Sequence, residues 1–156
     1  MRMRISMVVV LAALVAAPLA AAQDVTKLVT KADVEKATGE KFKDGWKPST
    51  DSILFQQEPG DLQVGVDIEK REAGASVRGW EATMKKMQPA TKVDTIKGVG
   101  VDAIVYSTRP DNAALSADFD SPRVQMRVSV LGAKSVEQAR KIVVDLARTV
   151  GPRVGK

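Results

Sequence analysis

The sequence has 156 residues with no cysteine and no histidine. That composition removes disulfides, Ser-His-Asp and Cys-His nucleophiles, and imidazole or thiolate ligation of zinc, copper or haem iron. A formal charge of +5 and only three Phe, two Trp and one Tyr argue against nucleic acid as a partner, which calls for a clustered basic face or a ring platform.

The chain opens Met1-Arg2-Met3-Arg4, runs apolar from Ile5 to Ala17 and closes with Pro18-Leu19-Ala20-Ala21-Ala22. A basic start, a short apolar core and small residues at Ala20 and Ala22 form the pattern of a secretory signal cleaved before Gln23. The expectation is export to the periplasm or beyond, with residues 1–22 as signal and residues 23–156 as one domain. No cysteine follows to carry a lipid, and no second run of membrane-spanning length follows either. The 134 residues from Gln23 carry 22 basic against 19 acidic side chains, a net charge of +3. A chain of that length buries about two-thirds of its unfolded surface, enough for a core without staples.

Thr30 is placed to cap a short helix with Asp33 three residues on, and Gly39 closes it in the left-handed region. Residues 40–51 show no periodicity and hold three lysines with Phe42 and Trp46. They read as a loop, either returning its rings to the core or offering them to a ligand. Ile53–Gln56 and Leu62–Glu69 then form a hairpin, with Pro59-Gly60 suited to a type II turn. Leu62, Val64, Val66 and Ile68 alternate with Gln63, Gly65, Asp67 and Glu69, the period of a strand with one buried face. Residues 74–87 read as a helix with Val77, Trp80, Met84 and Met87 on one face, a stripe better suited to core packing than to a ligand. Gly79 inside it costs stability, which predicts close packing there.

The run from Val93 to Ser107 is apolar on both sides and reads as a central strand. Its Gly98-Val99-Gly100-Val101-Asp102-Ala103 segment has the spacing of a dinucleotide-binding turn, but no helix follows and that reading is rejected. Ala114–Phe119 is a weak strand, and Arg123–Leu131 alternates strongly with Val124, Met126, Val128 and Val130 inward. The last helix starts at Ser135 with Gln138 completing a capping box. It carries a broad apolar stripe from Val136 to Val150 and ends at Gly151-Pro152. The predicted architecture is α+β: an antiparallel sheet of about five strands, helices on one face, in the order α-β-β-α-β-β-β-α.

The open face of that sheet is the candidate site. Gln63, Gly65, Asp67 and Glu69 share it, and glycine inside a strand marks close approach of another group. Tyr106, Ile104, Gln125 and Arg127 join the same side under the expected pairing, and Trp46 lies in the loop nearby. These residues suit a small ligand or an envelope partner. The alternatives are that Tyr106 or Trp46 fills the gap at Gly65, and that Asp67 and Glu69 are merely a wet strand face. A carboxylate-dependent hydrolase using Asp67 and Glu69 is the enzymatic alternative. Asp118 and Asp120, with Asp111 and Asn112, lack the spacing of a calcium loop, and no metal or cofactor is expected.

Three segments together resemble a family of small exported bacterial proteins of unknown function, best known as actinobacterial lipoproteins. They are Thr30-Lys31-Ala32-Asp33-Val34 closing at Gly39, the Gly98–Ala103 segment before a strand, and the Arg123–Val130 strand feeding the last helix. The resemblance implies a compact α/β domain and carries over no catalytic residue. This chain lacks the lipidated and paired cysteines of that pattern. The reading that results is an exported, non-catalytic domain that binds a small ligand or an envelope partner. A purely structural envelope component is a further alternative.

Overall fold

A computed structural model describes residues 23–156; the signal sequence expected at 1–22 lies outside the described residues. The elements are α1 (Val25–Leu28), α2 (Lys31–Thr38), β1 (Trp46–Ser49), β2 (Ser52–Gln56), β3 (Gln63–Lys70) and α3 (Val77–Met87). β4 (Val93–Thr95), β5 (Asp102–Tyr106), β6 (Asn112–Asp120), β7 (Arg123–Leu131) and α4 (Val136–Val150) follow. The fold is α+β, and the described residues form one sheet of seven antiparallel strands in the order β1-β2-β3-β7-β6-β5-β4.

Three expectations are corrected. The five-stranded estimate misses β1 and β4. β1 reads Trp-Lys-Pro-Ser, all four residues are exposed, and an edge strand with one unburied row carries no alternation to detect. β4 is split from β5 by the turn at Gly98-Val99-Gly100, so the run 93–107 is a hairpin and not one strand. The element order gains α1 and these two strands. Finally, the helices occupy both faces. α1, α2 and α4 cover one side, while Val77 and Met84 of α3 pack on Ile104, Tyr106 and Ala114 on the other. β5 is therefore apolar on both sides because two helices cover it, although it lies next to the edge.

The local chemistry behaves as its residues dictate. Thr30 and Asp33 form a reciprocal capping box, and Gly39 ends α2 at φ +77°. Ser135 Oγ accepts from the Gln138 amide, but the Gln138 side chain reaches one residue further back and accepts from the Lys134 amide, so the second half of the expected box is displaced. Gly60 lies at φ +145°, away from the roughly +80° of a type II turn. The main core lies between the sheet and α4, whose Ile142, Val143, Leu146 and Val150 meet Val64, Val66, Leu115, Met126 and Val128 from the strands. Each large aliphatic buried this way contributes about 1.5–3 kcal/mol relative to exposure. Phe42 enters the same core through a bridge to Gln57, whereas Trp46 remains 64% exposed.

Candidate functional site

The side of the sheet opposite α4 is covered by α3 over β5 and β6 and is open over β7, β3 and β2. Strand register decides who meets whom there, because directly opposed residues project to the same side. One row reads Trp46, Leu54, Gly65, Ser129, Ala114 and Tyr106. The next reads Ser52, Asp67, Arg127, Ser116 and Ile104. A third brings Glu69 opposite Gln125 and Asp118.

Where α3 stops and the open strands begin, a groove forms. Its middle hollow, about 400 Å³, is lined by Asp67, Glu69, Trp80, Tyr106, Ser116, Gln125 and Arg127. Along α3 it continues into an apolar hollow of about 350 Å³ that includes Trp80, Met84 and Met87. Toward the β2–β3 end it opens into one of about 280 Å³ that includes Leu54, Gln63, Ser129 and Leu131. Tyr106 and Arg127 line all three. The Trp80 and Tyr106 rings meet at 4.4 Å between centroids with a 42° tilt, a favourable offset contact that holds Trp80 at the groove wall.

The charges in the groove are of both signs. Arg127 and Glu69 are exposed and make no hydrogen bond or ion pair with any described residue. Asp67 lies directly opposite Arg127 in the register, yet its carboxylate accepts from the Ser52 hydroxyl at 2.5 Å and closes no ion pair with the guanidinium. Among the described residues Arg127 is thus an unpaired cation, directly opposite Asp67 and diagonal to Glu69 on the adjacent strand.

Six of the seven sequence candidates come together here. Asp67, Glu69, Tyr106 and Arg127 line the middle hollow, Gln63 lines the adjoining one, and Gly65 lies on the floor. A Cβ at Gly65 would sit 2.8 Å from Ser129 Oγ and 3.7 Å from Leu54 Cδ1, so these two neighbours close over the gap. Neither Tyr106, three strands away, nor Trp46 fills it. Trp46 shares the row but stands on the edge strand and lines none of the three hollows. Ile104 faces the same side and is fully covered by α3.

Trp80 was not legible as a site residue. Placing α3 with the other helices puts its stripe in the main core, whereas the structure leaves Trp80 40% and Met87 76% exposed. The available signal was β5 itself: apolar residues on both of its faces demand a helix on each. Asp118 is the second omission. It is 2% exposed and accepts from the Val77 amide and from Gln125 Nε2, both at 2.9 Å, with Arg71 alongside. It anchors the start of α3 to the sheet and so sets the groove's width. Asp120 joins Asp118 on Arg71, while Asp111 and Asn112 lie at the other end of β6. Among the described residues no group of three or more acidic side chains converges as a metal site, and no helix is long and apolar enough to cross a membrane.

Comparison with protein-family models, with curated proteins and with solved structures returned no match.

Proposed function

We propose that this is an exported binding protein that captures a ligand in the groove between α3 and the open half of the sheet. The observation that carries this reading is the Arg127 guanidinium, unpaired among the described residues, beside the Trp80–Tyr106 pair where the sheet face is open. A concave site with an aromatic wall and a few convergent polar groups is the usual form of a small-molecule site, and an unpaired cation there keeps its hydrogen-bonding capacity for whatever enters. The signal-like residues 1–22, and the resemblance to small exported bacterial proteins, support a place in the periplasm or outside the cell.

A second reading has its own support. Trp46, Met87 and Leu131 are exposed large apolar residues near the groove's margins, and apolar residues around a polar centre suit contact with an envelope protein.

Native mass spectrometry of the protein purified gently from its own envelope distinguishes these. A reproducible extra mass of small-molecule size supports capture, and a bare chain that cross-links to a neighbour in cells supports the second reading. Gly65→Trp places a ring on the groove floor, with Ser129 Oγ able to rotate away. It is expected to abolish the bound mass while the circular dichroism spectrum stays that of the wild type. A bound mass that survives this substitution places the ligand elsewhere.

A further inference from the structure

Resting on the groove reading, we infer that the ligand is a zwitterion with an apolar substituent, of the class of free apolar α-amino acids. The argument is from charge. A simple anion drawn to Arg127 would face Asp67 directly across the strand pair and Glu69 on the diagonal, where like charges repel. A simple cation drawn to the carboxylates would face Arg127 in the same way. A ligand carrying both signs meets both partners, its carboxylate accepting from the Arg127 guanidinium and its ammonium donating to Asp67 and Glu69. The wrong ligands are thereby disfavoured by repulsion as well as by missing contacts.

The surroundings supply the rest. The Ser52 hydroxyl, 2.5 Å from Asp67 Oδ1, fixes that carboxylate and leaves its other oxygen for the ammonium. Arg127 lines both the polar middle hollow and the hollow walled by Trp80, Met84 and Met87, so a ligand held by its charged end extends its substituent along α3. Aromatic and thioether groups are the adaptable, apolar partners such a substituent needs.

The test uses protein from the full chain expressed in an exporting host, with Trp46→Phe so that Trp80 alone reports by fluorescence. Leucine, methionine and phenylalanine are titrated, followed by N-acetyl-leucine and leucinamide, which each lack one charge. The expected result is a saturable Trp80 response to at least one free amino acid. Each leucine derivative should bind about 10- to 100-fold more weakly, as loss of a charge-assisted hydrogen bond implies. Arg127→Gln should lose leucine by a similar factor and bind leucine no better than leucinamide. It should also melt within about 2 °C of the parent, since Arg127 makes no hydrogen bond or ion pair with any described residue.

Equal binding of leucine and leucinamide overturns the inference, as does the lack of any response to all three amino acids. The groove reading survives that failure if the mass found on the envelope-purified protein is uncharged or singly charged and is lost in Gly65→Trp. Both fall if Gly65→Trp leaves the bound mass in place.

Discussion

At Asp33 one carboxylate serves two structures. It accepts from the Thr30 amide and hydroxyl at the start of α2, and it takes two bonds from Arg153 at 2.6 and 2.9 Å, tying that helix to the chain's end. The Arg153 guanidinium, aided by the Thr30 amide, holds the carboxyl down to about 2 against an ordinary value of 3.8. The folded value lies below the unfolded one, so the ionised carboxylate stabilises the fold above about pH 4 and that contribution is lost as pH falls through 2. The Arg153 side chain is 38% exposed, and solvent screening reduces what the shift alone would suggest to about 1 kcal/mol. Asp33→Asn is expected to cost about that much in urea unfolding at pH 7. The difference between variant and parent should shrink steadily between pH 4 and pH 2, and a gap independent of pH would assign the loss to capping alone.

Two glycines in neighbouring elements separate sterics from propensity. Gly100, in the turn between β4 and β5, has φ +59°, and a Cβ there would collide with the Asp118 carbonyl oxygen, which already accepts from the Val101 amide at 2.8 Å. The motif spacing that imitates a dinucleotide turn is thus the packing of a hairpin end against β6. Gly79 in α3 is the opposite case. It is exposed, and its Cβ would meet only Ser76 Oγ at 3.5 Å, so the close packing expected there is not found. Gly100→Ala should destabilise by about 2–3 kcal/mol through a disfavoured φ and a backbone clash. Gly79→Ala should stabilise by about 0.5–1 kcal/mol through helix propensity. Denaturant midpoints of the two variants, moving in opposite directions, check both statements.

At the scale of the molecule, one sheet serves two layers of different thickness. α4 and α2 close one face, and α3, pinned by Asp118 and by the paired Arg78–Asp102 contacts at 2.5 and 2.6 Å, closes half of the other. Leu115 on β6 is wholly buried among the residues under α4. Leu115→Ala should therefore cost about 2–5 kcal/mol. Trp46 reports from the β1 edge and Trp80 from α3, so fluorescence and circular dichroism should give coincident transitions for parent and variant. Separate transitions would mean that α3 or the β1–β2 edge unfolds independently of the core.

Cap chemistry and short-period alternation are local, and what depends on them was legible. Thr30, Asp33 and Gly39 delimit α2, Ser135 starts α4, the β2–β3 hairpin and β7 follow their alternation, and Gln63, Gly65, Asp67 and Glu69 share a face because a strand repeats every two residues. Periodicity says that a face is buried, not what covers it. The pairing of β3 with β7 joins segments about sixty residues apart, and no local signal reports that contact. Only the tertiary structure decided that α3 crosses to the second face, that Trp80 forms a groove wall instead of core, and that Asp118 anchors a helix. The reason is physical: an amphipathic helix lowers its free energy on either face of a sheet. The choice is made by apolar residues of β5 and β6, distant in sequence, that have no other cover.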